Sequence, residues 1–389
     1  MTTPEIKGWC PGAHRPMRSG DGLVVRVRPR GGEIAPEALA GLAALSARHG
    51  SGAVDVTARA NLQIRGVTDA AYPRLRDRLD ALGLLDEDPT AESRRNVTLT
   101  PFRTAARDQA GLAEALAQGL ADPGFAGLPG KFGFVIDAEP GGRRLAEISG
   151  DIRVEGAGET MVVRADGAAT GRRAATAADA AALALALARW FLASGGVGPD
   201  GRGRMRRHLA AGARPPADLT GDAAPDAPTP PPGPGPAMGG VCVAAAFGQF
   251  TADDLALVAR VAPAPVRPTP FRTLFLPGLA DASALAAAPG IILAAADPML
   301  RVVACPGAPL CPQAAAPTRD LARALAARVR PGALLHVSGC VKGCAHPDAA
   351  TLTLTARDGA FDLVRDGAPW DAPAARGLSA ARVLAELEA

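Results

Sequence analysis

Residues 56–66 read VTARANLQIRG and residues 268–278 read PTPFRTLFLPG; the two align without a gap, Thr57 on Thr269 and Gly66 on Gly278. Working outward, the first copy is preceded by LVVRVRPRGGEI (23–34), which reads as a strand and loop, and by an Ala/Leu helix at 36–49. Its second strand is expected over 53–65. Ahead of the second copy, VCVAAAFGQF (241–250) reads as a strand and TADDLALVARVA (251–262) as a helix. There Thr251 is the N-cap, with Asp253 and Asp254 in the first turn, where the helix dipole favours acids. The following strand is expected over 266–276. A β-α-β unit on either side of a linker predicts two half-domains pairing into one ferredoxin-like module. The alternative is the general likeness of any two β-α-β units.

The linker is the Pro/Gly/Ala stretch at 222–240, which has no apolar period. A chain of 389 residues has room for two or three domains. The expected division is a first half-domain at 1–70, an α/β lobe at 71–221, the linker, a second half-domain at 241–296 and a second lobe at 297–389. Hydrophobic residues make up 48% and charged residues 21%, a globular profile, and the net charge of +3 implies neither nucleic acid nor membrane as a partner. The amino terminus has no apolar secretory core. The stretch AATAADAAALALALARWFLA carries Asp179 and Arg189 and reads as a buried helix, so a cytoplasmic protein is expected.

In a reducing compartment six cysteines are ligands, reactive groups or core residues before they are disulfides. Four form a tight pattern: ACPGAPLCPQA gives Cys305-x5-Cys311, and HVSGCVKGCAHP gives Cys340-x3-Cys344. Two loops with four thiolates can surround a cubane cluster, whose corners need ligands from separated directions. Zinc more often shows C-x2-C pairs and is the weaker metal reading. Pro306, Gly307, Gly339 and Gly343 keep the backbone out of helix, so that N–H groups can point at sulfur. A helix is expected to start at Cys311, with Pro312 in its first turn. Cys10 is read as packed, although ligand and reactive thiol stay open; Cys242, on a strand, is read as core. Lysine occurs only at 7, 131 and 342, and two of these fall in or beside motifs.

C-x5-C followed by C-x3-C, downstream of a duplicated half-domain, resembles the sulfite and nitrite reductase family. TARANLQIRG (57–66) looks like that family's T-x-R strand, RRN (94–96) like its R-N turn and LPGKF (128–132) like its L-P-x-K-F loop. The resemblance implies a duplicated α/β (α+β) fold with ferredoxin-like half-domains and a lobe that binds a 4Fe-4S cluster through Cys305, Cys311, Cys340 and Cys344. Carried over by position, Arg59, Arg95 and Lys131 would face an anionic tetrapyrrole or substrate. Where the reductases have a second lysine, this chain has Gly133, which weakens the case for reducing a small oxyanion.

The opening KGWCPGAHRPMRSGDGLVVRVRPRGG is similar to that of the precorrin-3B synthases, the cobalamin-pathway branch of the family, and VRPTPFR to that branch's R-x-T-P-x-R strand, one residue out of step. This likeness implies oxygen-dependent hydroxylation of precorrin-3A at C20 with γ-lactone closure, the tetrapyrrole being substrate and no siroheme bound. It also implies a mononuclear non-haem iron beside the cluster, for which His14 and His346 are the named candidates. A substrate with many carboxylates calls for guanidinium groups, and Arg15, Arg26, Arg59, Arg65, Arg95, Arg267 and Arg272 are expected to supply them. No G-x-G-x-x-G follows a strand, so a separate NAD(P)H-dependent donor is expected to deliver electrons. The rival readings are a siroheme-dependent sulfite or nitrite reductase and a non-catalytic iron–sulfur electron carrier. His49, closing a helix, reads as a dipole partner, and His208 as part of a solvated basic face; Asp137 and Asp151 sit at strand ends with nothing to single them out.

Overall fold

The structure is a computed structural model that describes residues 11–386; Cys10 lies outside them. The first sheet orders strands Met17–Ser19, Gly22–Val27, Leu62–Val67, Ala53–Val56 and Gln249–Thr251, all antiparallel. The second orders Gly235–Ala237, Gly240–Val243, Leu274–Pro277 and Arg267–Pro268, again antiparallel. The two sheets trade edges. Strand Gln249–Thr251, which leads into helix Ala252–Val261, pairs with Ala53–Val56, which follows helix Pro36–His49. In return Ile34, just before the first helix, bridges Val266, just after the second. The halves therefore share one core, in which Leu39, Leu62 and Ile64 pack with Val243, Leu255 and Leu274.

Helices Pro36–His49 and Ala252–Val261 fall where the sequence puts them, the second capped by Thr251 and Asp254 in a reciprocal pair of hydrogen bonds. The expected continuous strand over 53–65 is instead two strands joined by a turn. Thr57 Oγ1 accepts from the N–H groups of Arg59 and Asn61 at 3.3 and 3.1 Å, and Ala60 sits at φ +54°. The expected strand over 266–276 breaks for the same reason. Thr269 Oγ1 accepts from Phe271 and Thr273 at 3.1 and 3.3 Å, and Arg272, aligned with Ala60, sits at φ +61°. The expected strand 241–250 stops at Val243, and a short turn over Ala246–Gly248 redirects the chain into Gln249–Thr251.

Each half is followed by a five-stranded sheet, and the two sheets repeat one pattern. Val97–Leu99, Phe134–Asp137, Ile152–Ala157, Thr160–Ala165 and Arg172–Ala174 form the first; Val302–Ala304, Leu335–Ser338, Ala350–Arg357, Ala360–Gly367 and Ala375–Leu378 form the second. In both, the first two pairings are parallel and the last two antiparallel. Helix Ala177–Ala193, capped by Thr176, buries Ala180, Ala184, Leu187 and Phe191 in the first lobe's core. Small alanines let helix and sheet approach closely, which suits a chain with only 4% aromatic residues. Among the described residues no helix is long and apolar enough to cross a membrane. The Pro-rich stretch is held to the first lobe: Ala223 bridges Gly171, and Asp226 accepts from Gly158 N–H at 2.9 Å.

Candidate functional site

Strands Val302–Ala304 and Leu335–Ser338 are parallel neighbours, with Ala304 opposite Val337. Their carboxyl ends therefore release the two cysteine loops side by side, although the loops are far apart in sequence. Gly339 N–H donates to Cys305 Sγ at 3.1 Å, and Lys342 N–H donates to the Cys340 thiol. Gly339 has no room for a side chain: a Cβ would lie 2.7 Å from Ala314 Cβ and 3.3 Å from Cys305 Sγ. Thr318 Oγ1 donates to Cys305 O at 2.6 Å and Ser338 Oγ to Cys340 O at 2.7 Å, fixing both loop entrances. Burial pushes the Cys340 thiol up, helped by the charges of Cys305 and Cys311 and opposed by Lys342. No helix starts at Cys311: Cys311 N–H closes a turn onto Gly307 O at 2.8 Å, and the helix begins only at Arg319. Pro312 and Pro317 leave too little uninterrupted chain between them for one.

All four thiols line one cavity of about 570 Å³, a volume typical of small-molecule sites. Among the described residues no three of His, Cys, Asp or Glu close on a single ion; the four stand around a wall. The same lining holds Arg26, Arg65, Arg272, Arg319 and Lys131, together with Arg18 and Lys342. Among the described residues Asp55 is the one acid in the lining. Arg26 donates from Nε and Nη2 to Gln63 Oε1 at 2.9 and 2.6 Å, and Arg65 grips Asp21 bidentately at 2.9 Å. Burial lowers the Arg272 pKa; this guanidinium donates to Ala345 O at 3.2 Å, tying the second half-domain to the Cys340–Cys344 loop.

The amino-terminal hairpin closes the cavity from the other side. Ser19 Oγ and Gly20 N–H both reach Leu310 O, at 2.9 and 3.0 Å. The S-G-D-G segment is thus a clamp on the first cysteine loop.

The remaining expected residues sit elsewhere. Arg59 donates to Lys131 O at 3.3 Å, and Arg95 is engaged by Asp86 at 2.7 Å and by Arg28 O; both line a small neighbouring cleft. Arg267 pairs with Glu33 at 3.1 Å and bonds the carbonyls of Pro101 and Arg103, while Arg15 is exposed outside the cavity lining. His14 lies just before the first half-domain's strands and His346 in the second lobe: the first bonds Asp86 O at 2.7 Å, the second Ala349 O at 3.3 Å, and neither lines the cavity. His346 packs edge-on to the buried His336, which burial holds down at about 4. Asp151 is an internal brace, accepting from Gly133 and Met205 N–H. Gly133 lies against Asn96, where a Cβ would come within 2.9 Å of Nδ2.

Nothing in the local sequence marks Arg319 or Phe247. Their place in the lining comes from packing between segments far apart in the chain, for which local spacing carries no signal.

The duplicated scaffold also offers the equivalent position in its other half. Gln63 faces Arg26 across the first sheet; its aligned partner Phe275 faces Cys242 across the second. There the space is filled, Phe275 packing edge-on to Phe102 at 5.2 Å over Cys242, whose thiol burial pushes up to about 12.

Comparison with known proteins gives three likenesses. The model of the nitrite/sulfite reductase ferredoxin-like half domain matches residues 15–82. A precorrin-3B synthase of Sinorhizobium sp is 31% identical over 95% of this chain and 85% of its own length, and a ferredoxin–nitrite reductase of Synechococcus elongatus is 32% identical over 33% of this chain and 26% of its own. The structure of the NirA protein of Mycobacterium tuberculosis superposes with a TM-score of 0.60 over 88% of this chain and 74% of that one; at 19% identity this is a likeness of fold.

Proposed function

The chain belongs to the precorrin-3B synthase family, and on that footing we propose that it hydroxylates precorrin-3A at C20 with dioxygen, a ring-A acetate closing to a γ-lactone. One observation carries the reading: four cysteines and a cationic wall share a single cavity. A tetrapyrrole bearing many carboxylates suits guanidinium and ammonium groups set in a recess. We assign carboxylate binding to Arg26, Arg65, Arg272 and Lys131. Arg59 and Arg95 act one step back, the first through the Lys131 carbonyl, the second by fixing the turn at 28–29.

The donor set fits a 4Fe-4S cluster. Four free thiols line one wall, and N–H groups of Gly339 and Lys342 are aimed at sulfur, as ligating thiolates require. When bound, such a cluster supplies one-electron transfer. Ligation needs thiolates, so loading would release the protons that burial keeps on Cys340. His14 and His346 do not converge, and we route no step through a mononuclear iron between them. In the overall balance one atom of dioxygen enters the product and the other leaves as water. That takes two electrons and two protons, which we assign to NAD(P)H through a separate donor protein.

The half-domain match at 15–82 supports a second reading, a siroheme-dependent reductase. One experiment separates them. Anaerobically purified protein is assayed for iron and sulfide, its absorption spectrum is recorded, and it is then supplied with precorrin-3A, a chemical reductant and isotopically labelled dioxygen. A cluster envelope without a chlorin band, and one labelled oxygen in the product, support the hydroxylase. A siroheme band with turnover of sulfite or nitrite overturns it.

A further inference from the structure

Arg319 carries a largely buried guanidinium, its side chain 11% exposed, that no tight ion pair neutralises. Its Nη2 stands 3.8 Å from Asp55 Oδ1, and its Nε has no partner. Asp55 is itself divided: Arg65 lies at 3.6 Å and Gln249 Nε2 donates to it at 2.8 Å. Arg65 is held more closely by Asp21, at 2.9 Å, so Arg319 is the cation of this group whose carboxylate is shared and distant. Arg319 is also held firmly. The preceding residue, Thr318, bonds Cys305 O, and the guanidinium lies over the Phe247 ring at 5.4 Å, with Arg323 at 5.2 Å from the same ring. Phe247 keeps that place at φ +61°, a backbone conformation that a bulky residue adopts only when its surroundings impose it. Arg319, Asp55 and Cys305 all line the same cavity.

We propose that Arg319 and Asp55 set, with opposite signs, the reduction potential of the cluster held by Cys305, Cys311, Cys340 and Cys344; the inference rests on the cluster assignment above. The physical reason is Coulombic. A cluster on four thiolates is anionic and gains one more negative charge on reduction, so a fixed cation favours the reduced form and a fixed anion opposes it. Buried charges are screened by salt far less than surface ones. Phe247 acts as the positioning residue, confining the guanidinium to one side of the cluster loops.

The test is an anaerobic redox titration of the full chain, followed by electron paramagnetic resonance without substrate, on the parent and on Arg319→Met, Arg319→Lys and Asp55→Asn. The midpoint is expected to fall in Arg319→Met, to rise in Asp55→Asn and to stay near the parent in Arg319→Lys. Midpoints unchanged in both charge-removing variants, or shifted in the same direction, overturn the proposal. Should Arg319→Met not fold, Asp55→Asn alone decides by its sign. Lack of iron and sulfide in the parent protein would instead overturn the cluster assignment, before any midpoint is read.

Discussion

Gly307 is the residue on which the first cysteine loop turns. Its φ of +69° is one that L side chains rarely adopt, and a Cβ there would lie 2.5 Å from Thr318 Oγ1, the hydroxyl that fixes Cys305 O. Gly307→Ala is expected to cost about 1–2 kcal/mol for the backbone alone and to dislodge Thr318. The readouts are a lowered melting temperature and reduced iron per chain; parental values of both would show that the loop tolerates a side chain. A different residue-scale effect belongs to Asp137, a strand-end acid that nothing in the sequence singles out. Burial raises its carboxyl from 3.8 to about 6, against one hydrogen bond from Leu145 N–H. Between those values the folded protein holds a proton that the unfolded chain has released. Stability therefore falls as pH rises from 3.8 to about 6, and the loss is complete above that. The difference corresponds to roughly 3 kcal/mol at pH 7. Asp137→Asn keeps an acceptor for Leu145 and should be more stable than the parent at pH 7, by up to about 3 kcal/mol, with the advantage shrinking towards pH 4. Urea unfolding at the two pH values checks this, and a constant difference between the proteins would contradict the assignment.

At the scale of elements, helices were easier to read than turns. The helix over Pro36–His49 announces itself by Pro36 and by Gly50 beyond its end, and Ala252–Val261 by Thr251 and its acids. The turns at 57–61 and 269–273 were hidden because their positive-φ residues are Ala60 and Arg272, not glycine, so the apolar alternation on either side ran straight through them. The cysteine spacing was legible because each pair lies within a few residues of chain; the cavity's partners were not, because pairing between distant strands brings them in. The hairpin Met17–Val27 shows what such a contact does. Gly20 passes so close to the first cysteine loop that a Cβ would lie 2.4 Å from Pro309 O. Gly20→Ala should lift the clamp from Leu310 without touching a thiol. The expected result is faster release of iron to a chelator with an unchanged melting temperature for the rest of the chain. Release at the parental rate would mean that the hairpin merely rests on the loop.

For the whole molecule, duplication poses the question of why one of two equivalent positions is open. The scaffold is the same in both: matching threonine-capped turns, matching lobe sheets, and edge strands traded reciprocally. What differs is the pair that faces across the sheet, Arg26 with Gln63 in one half and Cys242 with Phe275 in the other. A guanidinium and an amide keep a recess wet and ready for carboxylates, whereas Phe275 with Phe102 fills the corresponding space and makes it core. The difference predicts the outcome of converting one half to the other. The double variant Arg26→Val with Gln63→Phe places an apolar pair where the fold already carries one in its second copy, so the chain should fold and keep its iron and sulfide. Binding of a polycarboxylate tetrapyrrole should fall by at least tenfold, since a charge-assisted hydrogen bond contributes about 1.5–3 kcal/mol and the recess is occupied as well. Tetrapyrrole fluorescence quenching measures the binding, and the absorption spectrum reports the cluster. Retained affinity with a retained cluster would place the substrate outside the 570 Å³ cavity, and the arginines of the neighbouring cleft, Arg59 and Arg95, would become the residues to alter.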